Sequence, residues 1–411
     1  MARLSFGAIV MILQISCAGL SPKPPQHSRV PTIRVLLGEE REVRVVLIGE
    51  FALSESKKLK ILLPRNKQIM FQAATGTANV EATVNGKKYV LDDRIKFAPI
   101  NSEQYFEIFG GRYSGALELS VQSRGVRAIN IVDMESYLHG VVPAEIGSLG
   151  KSEFEALKAQ AVASRTYALK KLGGNNRGKD SRGFDIRSDI YDQTYHGRRE
   201  NSEWAIRAVN ATKGEVITFN NNVIECYFHS TCGGRTESGH NVFTNVQFPY
   251  LQGIADDFGK RDFCEDSPHY RWVEKINASE LISSLREFGR QNNNNHPLAP
   301  GLFELRVSER FPSGRAKSVF IVDGKNNTIA LEPNSIRALF QNENRSLRSS
   351  LFRVGKPIDR GGNREIVLIG AGFGHGVGMC QWGAIGISRK AYSYDQMLRH
   401  YYRETELKKI Y

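Results

Sequence analysis

The chain lacks a compact tract of lysine and arginine and contains no recognisable nucleic-acid-binding module, although its formal net charge is +13 over 411 residues. We therefore set nucleic acid aside as a partner. The excess of positive charge is compatible with an anionic membrane surface, an acidic polymer or an inert basic surface. Charge alone does not choose among these three interpretations.

The chain has only five cysteines and no paired C-x-x-C motif, which disfavours a four-cysteine zinc site. His229, Cys232 and Cys264 offer three ligands, and no fourth ligand is in view. We therefore expect neither a bound metal nor a cofactor. A cysteine hydrolase that pairs Cys232 or Cys380 with a histidine stays open, because spacing does not decide that question.

The glycines near the end of the chain do not match a nucleotide-binding fingerprint, and no βαβ unit has room to follow them. They alternate with other residues from Gly370 to Gly378. If this segment is extended, its glycines lie on one face and form a flat strip against which a polymer could lie, while His375 points the other way.

Residues 1–16 predict a signal peptide of the lipoprotein type. Arg3 precedes a mostly apolar run over residues 4–15, which is too short to span a bilayer and suits an export signal. Cys17 and the residues before it resemble the lipobox of bacterial lipoproteins, although Gln14 stands where an apolar residue is preferred. The alternative is an ordinary signal peptide. An acylated Cys17 would anchor the chain to the membrane, with residues 17–31 as a tether.

An exported chain can form disulfides. We expect Cys232 to be linked to Cys264, since both lie in turn-like segments. Cys226 falls within a strand pattern, and we expect it to be a buried free thiol.

The patterns predict an α+β chain whose leading portion, residues 32–125, is rich in strands. Ser152 and Glu155 form a capping-box pattern that opens a long central helix ending at Gly173. Ser393 with Gln396 forms a second capping box and predicts a final helix. Short β-type runs bounded by turn-forming or charged residues occur at 33–37, 43–48, 59–63, 80–84, 105–109 and 117–121.

Glu145 is a carboxylate in an apolar setting, within the sequence VVPAEI and in the connection that leads to the central helix. A carboxyl group partly withdrawn from water has a raised pKa and can donate a proton near neutral pH, as glycosidic bond cleavage requires. On the pattern alone, a solvated or helix-capping carboxylate is the alternative.

Three blocks of the sequence resemble the SpoIID/LytB family of bacterial cell-wall proteins. They are GVVPAEI with EALKAQAVASRTYAL, then YDQTYHG through HSTCGGRTES at 191–238, and GFGHGVGMCQWGAIGISRKAYSYDQMLRHYY at 372–402. They occur in the order of the family, and the resemblance covers about residues 33–402. Some sporulation members carry cysteine ligands just before the Q-x-Y motif. Here Asp192 stands at that place, which also argues against a metal.

The resemblance implies a β-rich, two-lobed fold over residues 32–405, with a core at 126–405, a central helix after the catalytic glutamate and a long substrate groove. It implies a lytic transglycosylase that cuts between N-acetylmuramic acid and N-acetylglucosamine, with Glu145 as general acid and base. The candidates for holding the glycan are Gln160, Arg165, Ser230, Gly233, Thr236, His375 and Gln381.

The alternative function is a non-catalytic module that binds peptidoglycan. The LytB branch of the family is described as enhancing an amidase, so a cell-wall amidase is a further expected partner. Both alternatives place the protein outside the cytoplasm, in the cell envelope.

Overall fold

The computed structural model describes residues 29–55, 61–63, 67–123, 125–174, 183–243, 248–291, 302–331, 333–338, 347–360 and 363–411. The predicted signal peptide and Cys17 lie outside the described residues. Strands predominate over helices and form several sheets, so the predicted β-rich α+β class is confirmed. Within the described ranges, no helix is both long and apolar enough to cross a membrane.

The leading portion contains two sheets that share one hydrophobic core. Its strands are β1 (Thr32–Glu40), β2 (Glu42–Ile48), β3 (Phe51–Glu55), β4 (Ile61–Leu63), β5 (Lys67–Ala73), β6 (Val80–Val84), β7 (Lys87–Val90), β8 (Arg94–Pro99), β9 (Tyr105–Ile108), β10 (Gly111–Ser114), β11 (Ala116–Gln122) and β12 (Gly125–Asp133). The buried positions alternate along β1, β2 and β8, as expected for strands with one face on the core. Because β12 pairs with both β1 and β11, a boundary at residue 125 falls within one sheet.

A helix that the sequence analysis missed follows β12 directly: α1 (Met134–Glu145). The Asp133 side chain caps it by accepting a hydrogen bond from the backbone N–H of Ser136. Pro143 lies in its last turn, which is why the sequence suggested a connection there. Glu145 is therefore the last residue of a helix.

The central helix is α2 (Phe154–Gly174), preceded by one 3₁₀ turn at Lys151–Glu153. The predicted capping box of Ser152 and Glu155 is wrong. Glu153 instead accepts a hydrogen bond from the backbone N–H of Gly150, and Glu155 accepts one from the backbone N–H of Tyr394. The carboxylate of Glu155 thus joins α2 to the end of the chain.

After α2, the chain first adds elements to the first hydrophobic core and then forms a second hydrophobic core. The elements added to the first core are β13 (Ile186–Arg187), α3 (Glu203–Ala211), β14 (Glu215–Phe219), β15 (Asn222–Val223), β16 (Phe228–His229) and α4 (Gly239–Val242). The second core is built by β17 (Arg271–Asn277), α5 (Ala278–Gln291), β18 (Leu302–Arg310), β19 (Ala316–Asp323), β20 (Thr328–Leu331), α6 (Pro333–Ala338), β21 (Phe352–Val354), β22 (Ile358–Arg360) and β23 (Asn363–Ala371).

Arg315, on the turn between β18 and β19, joins the two cores. Its guanidinium group is buried and donates hydrogen bonds to the carbonyl oxygens of Cys232 and Arg235. Ser313 on the same turn donates to the buried carboxylate of Glu237. The second core is therefore fixed to the first through buried polar contacts.

The last part of the chain is β24 (Met379–Cys380), α7 (Gln381–Ser388), α8 (Tyr394–Tyr401) and β25 (Glu406–Lys409). The Ser393 and Gln396 capping box of α8 is present as predicted. β25 pairs with β14, and the Tyr411 hydroxyl donates to Glu135. The folded chain thus continues to residue 411, beyond the predicted limit of 405, because these last residues complete a sheet.

The predicted flat glycine strip is wrong. Gly372, Gly374, Gly376 and Gly378 all have positive φ, between 70° and 110°, so the segment after β23 is not extended. A Cβ at Gly374 would lie 2.8 Å from Cβ of His229, and one at Gly378 would lie 2.0 Å from the Tyr227 carbonyl oxygen. These glycines let the segment coil closely around residues 227–232.

Candidate active site around Glu145

Glu145 ends α1 with its side chain half-buried and its neighbours Val141, Val142 and Ile146 buried. Its Oε1 atom accepts a 2.5 Å hydrogen bond from the backbone N–H of Thr194. The helix end therefore presents a carboxyl group at the edge of the first hydrophobic core, with one oxygen already held.

Burial raises the pKa of Glu145, and hydrogen bonds from Thr194 and Gln381 oppose that rise only in part. Tyr137 lies close enough that the negative charge of Glu145 adds to burial in raising the Tyr137 pKa. The Tyr137 hydroxyl donates to Oε1 of Gln193 at 3.1 Å. Burial thus favours the protonated form of the carboxyl group, and this effect exceeds the opposing effect of its hydrogen-bond donors.

Two of the predicted glycan-binding residues, Gln381 and Gln160, form a line of hydrogen bonds that leads to Glu145. Gln381 is buried and donates through Nε2 to Oε1 of Gln160 at 3.3 Å. Gln160 is also buried and donates in turn to Oγ of Ser164. Because Gln160 has no exposed surface, it does not reach a glycan, which corrects its predicted role. It positions Gln381 instead.

Arg165 does not face a glycan either. Its side chain is buried, and its Nη2 atom lies 2.7 Å from Oε2 of Glu135. It also donates to the carbonyl oxygens of Val209 and Glu215. The predicted substrate contact is replaced by a buried ion pair that joins α1, α2 and β14.

The turn after β16 carries three more candidates, Ser230, Gly233 and Thr236, which lie in different environments. Ser230 is partly exposed, and its carbonyl oxygen accepts a hydrogen bond from the backbone N–H of Trp382, one residue after Gln381. Thr236 is buried and accepts a hydrogen bond from the backbone N–H of Ile254, so its role is structural. Gly233 lines a cavity of about 690 Å³.

His375 lies in a cluster of rings, with its centroid 5.6 Å from that of His229 and 5.4 Å from that of Phe243. Its Nδ1 atom accepts a hydrogen bond from the backbone N–H of Val377. Desolvation, with the positive charges of Arg337 and Arg315, lowers the pKa of His375 to about 3. The ring is therefore neutral at physiological pH and is no general acid there.

The cavity lined by Gly233 is basic. Four arginines border it against one acidic residue, Asp262, and Glu145 is not among the lining residues. A second cavity, of about 310 Å³, runs along α1 and is lined by Ser136, His139 and Gly140 among others. These two cavities are local, and neither is a continuous groove that includes Glu145.

The thiols of Cys232 and Cys264 are close together but not bonded, with their sulfur atoms 3.5 Å apart. The predicted disulfide is therefore not present in this structure. A third thiol, that of Cys380, and the carboxylate of Asp256 belong to the same group. Sequence spacing did not bring Cys380 into this group, since it lies 148 positions from Cys232. Asp256 is near Cys264 along the chain but was not singled out as a ligand. Cys226 is a buried free thiol as predicted.

Sequence reasoning also missed the residues that hold Glu145 in place. Thr194 belongs to the Q-T-Y motif, which was noted only for its resemblance to the family. A signal for Tyr137 existed in the helical spacing of Tyr137, Val141 and Glu145, but Pro143 obscured that helix.

Family models match two parts of this chain. A family model described as stage II sporulation protein matches residues 122–219, which include Glu145 and Thr194. A model described as a domain of unknown function matches residues 259–378, which contain the second core.

Similar proteins match over most of the chain. An uncharacterized protein of Brachyspira hyodysenteriae is 31% identical over 303 residues, covering 74% of this chain and 74% of its own length. The stage II sporulation protein D of Bacillus subtilis is 27% identical over 292 residues, covering 68% of this chain and 76% of its own length. The amidase enhancer of Bacillus subtilis is 26% identical over 296 residues, covering 66% of this chain and 40% of its own length. With the three sequence blocks and the fold, these matches show that the chain belongs to the SpoIID/LytB family of bacterial cell-wall proteins.

Proposed function

We propose that the protein cleaves peptidoglycan glycan strands as a lytic transglycosylase, with Glu145 as general acid and base. The observation that carries this proposal is the Glu145 carboxyl group, which is half-buried, has a raised pKa and is held by the Thr194 N–H and Gln381. A carboxyl group in this state keeps its proton to higher pH than an ordinary glutamate and can donate it to a leaving oxygen.

The proposed reaction needs only one carboxyl group. Glu145 protonates the glycosidic oxygen, and the bond from that oxygen to the anomeric carbon of N-acetylmuramic acid breaks as positive charge develops on that carbon. The resulting carboxylate removes the proton from the 6-hydroxyl of the same sugar, whose oxygen bonds to the anomeric carbon. The products are a 1,6-anhydro end and a free hydroxyl, and no water is consumed. The nucleophile is efficient because it is intramolecular.

The surroundings of Asp192, the neighbouring acid, support a single-acid mechanism. Both Glu145 and Asp192 act on Tyr137 electrostatically. The carboxylate of Asp192 is occupied, since it accepts hydrogen bonds from the Tyr167 hydroxyl and the Arg187 N–H and lies 3.1 Å from Nζ of Lys171. These partners give the Asp192 carboxylate a structural role and leave Glu145 as the acid with a raised pKa at this site.

Product analysis tests this function. Purified full-length protein is incubated with intact glycan strands and with strands freed of stem peptides, and the released fragments are measured by mass spectrometry. We expect fragments with 1,6-anhydro ends. Fragments with reducing ends, heavier by one water, would identify a hydrolase, and unchanged strands would refute glycan cleavage.

A second candidate function is an amidase enhancer that binds peptidoglycan without cutting it. It is favoured by the match to the amidase enhancer of Bacillus subtilis. The same incubation with a cell-wall amidase added distinguishes the two. An enhancer leaves glycan strands intact and increases the release of stem peptides, whereas the proposed enzyme shortens the strands without the amidase.

We further propose that the protein is exported and held at the membrane by acylated Cys17, facing the wall. The basis is the short apolar segment before Cys17 in the sequence. Cys17→Ser should move the protein from the membrane fraction to the soluble fraction, and Cys226→Ser should not. Wild-type protein that is soluble and unacylated would contradict the anchor.

A further inference from the structure

Four potential metal ligands converge in the first core. They are the thiols of Cys232, Cys264 and Cys380 and the carboxylate of Asp256. All four residues are buried, and their ligand atoms lie within 4.8 Å of one another. The Cys232 sulfur lies 3.0 Å from Oδ2 of Asp256 and 3.5 Å from the Cys264 sulfur.

We propose that these four residues bind one structural Zn²⁺ ion in a closed tetrahedral site. Zinc with sulfur ligands at about 2.3 Å requires neighbouring sulfurs to be separated by about 3.8 Å, so the observed spacing needs only small shifts of the side chains. Three thiolates with one carboxylate suit zinc better than magnesium or calcium, which prefer oxygen ligands alone. Binding displaces the thiol protons to solvent and leaves no position open for water.

The carboxylate of Asp256 is oriented as a metal ligand would be. Its Oδ1 atom accepts a 2.7 Å hydrogen bond from the Tyr401 hydroxyl and lies 3.4 Å from Nε2 of His400. The other oxygen, Oδ2, is thereby directed toward the thiols. Gly383 makes this approach possible, because a Cβ there would lie 2.4 Å from Oδ2. Outer contacts of this kind fix the geometry of ligands in metal sites.

Backbone N–H groups are aimed at the sulfur atoms. Those of Cys232 and Gly383 both point to the Cys380 sulfur at 3.2 Å, and that of Gly234 points to the Cys232 sulfur at 3.3 Å. Arg315 adds a buried positive charge and donates to the Cys232 carbonyl oxygen. Donors and a cation around buried sulfurs offset the excess negative charge that three thiolates and a carboxylate leave on a divalent ion.

The site would join four segments of the chain that have little regular structure. Cys232 lies in the turn after β16, Asp256 and Cys264 lie in irregular chain before β17, and Cys380 is the cap of α7. Gln381, which hydrogen-bonds to Glu145, is adjacent to Cys380. The zinc would therefore fix the start of α7, which carries the Gln381 side chain that contacts Glu145.

A disulfide between Cys232 and Cys264 is the competing arrangement. It would use two of the three thiols and leave the Cys380 thiol and the buried Asp256 carboxylate with no bond to the pair. A zinc ion uses all four groups and neutralises buried charge that is otherwise costly. The geometry therefore favours the metal.

Metal analysis of the full-length protein tests the proposal. After purification without chelator, addition of equimolar Zn²⁺ and dialysis, we expect about one zinc per chain. Cys232→Ser and Cys380→Ser should lose that zinc, whereas Cys226→Ser, which removes a buried thiol outside the group, should retain it. Exchange of Co²⁺ for zinc in the wild type should give thiolate-to-cobalt absorption, and removal of zinc by a chelator should lower the melting temperature.

Three results would overturn the proposal. They are a wild-type protein that retains no zinc, zinc content unchanged in both cysteine variants, and a Cys232–Cys264 disulfide found by peptide mapping of native protein. If the variants fail to fold, the cobalt spectrum of the wild type decides the question, since absorption without the thiolate band contradicts cysteine ligation. None of these measurements depends on glycan cleavage, so the zinc site and the proposed enzyme activity fail separately.

Discussion

At the scale of single residues, the burial of Glu145 favours the proposed proton donation but lowers the stability of the folded protein. Burial raises its pKa, which favours proton donation and makes the ionised form unfavourable in the folded state. A raised pKa in the folded state contributes stability at low pH that is lost as pH rises through that pKa. The protein therefore holds this carboxyl group at a cost to its stability.

We predict that Glu145→Gln abolishes glycan cleavage while the protein still folds. Glutamine keeps the shape and can accept the Thr194 hydrogen bond, but it cannot transfer a proton, and loss of general acid catalysis costs roughly 10²–10⁴ in rate. The free energy of unfolding at neutral and alkaline pH should be equal to or greater than that of the wild type, because the variant has no buried charge there. Fragment release and denaturant unfolding measure the two effects.

Glu155→Gln is the matched control for this variant. Glu155 is a half-buried helix glutamate that accepts a hydrogen bond from the Tyr394 N–H and pairs with Lys158. Its replacement should lower stability by about 1 kcal/mol and leave cleavage near normal. Near-normal cleavage by Glu145→Gln together with an inactive Glu155→Gln would show that Glu145 is not the acid.

The pH dependence of cleavage should follow the Glu145 carboxyl group. Because the acid must be protonated, the rate should fall as pH rises through its raised pKa. Gln381→Ala removes a hydrogen bond that lowers this pKa, so the alkaline limb of the pH–rate profile should move to higher pH. Gln252→Ala, at an exposed glutamine, is the control and should not move it. A limb that stays in place or moves to lower pH in Gln381→Ala would contradict this assignment.

At the scale of elements, the glycine-rich segment after β23 shows how close packing replaces regular structure. Positive φ at alternate residues prevents a strand, and each glycine lets a neighbouring segment come close where a side chain would not fit. The segment leads into β24, which pairs in parallel with β16 and so places Cys380 beside the turn that carries Cys232. The shape of this segment therefore determines the position of Gln381, the first residue of α7.

We predict that Gly374→Ala lowers the free energy of unfolding more than Gly259→Ala does. Both glycines have φ near +100°, so both substitutions incur backbone strain of about 1–2 kcal/mol. Gly374 alone has a close neighbour, with its Cβ position 2.8 Å from Cβ of His229, whereas Gly259 has open space. Urea unfolding of the two variants measures the difference, and equal losses would show that close packing at Gly374 is unimportant.

At the scale of the whole molecule, one cavity carries a local excess of positive charge. The cavity of about 690 Å³ is bordered by Arg235, Arg271, Arg310 and Arg353 with a single acid, and it lies where the two cores meet. The carboxylates of peptidoglycan stem peptides are anions that such a surface would attract. Part of the excess charge seen in the sequence thus lies at this cavity.

We predict that the double variant Arg235→Glu, Arg353→Glu binds isolated peptidoglycan more weakly at low salt. Both side chains are exposed, so their effect should diminish as salt is raised and the charges are screened. The double variant Arg207→Glu, Lys213→Glu, at exposed positions on and just after α3, changes the net charge by the same amount and is the control for net charge alone. Cosedimentation with peptidoglycan at two salt concentrations is the measurement, and equal binding by the variant and the control would rule out this cavity.

The sequence by itself determined the features that depend on local chemistry. The α8 capping box, the central helix α2 and the β-rich class follow from spacing and turn residues, which act over a few positions. The proposal of Glu145 as the acid rests on its apolar neighbours in the sequence and on the family resemblance. Helix α1 escaped prediction because Pro143 lies in its last turn, whereas local rules place proline only in the first turn of a helix.

Only the tertiary structure decided which distant residues meet. Gln160 and Arg165 resemble site residues in sequence, yet packing buries both, one behind Gln381 and the other against Glu135. The grouping of Cys232, Asp256, Cys264 and Cys380 joins residues up to 148 positions apart. Spacing along the chain carries no information about such contacts, because they form only when the two cores fold the intervening segments together.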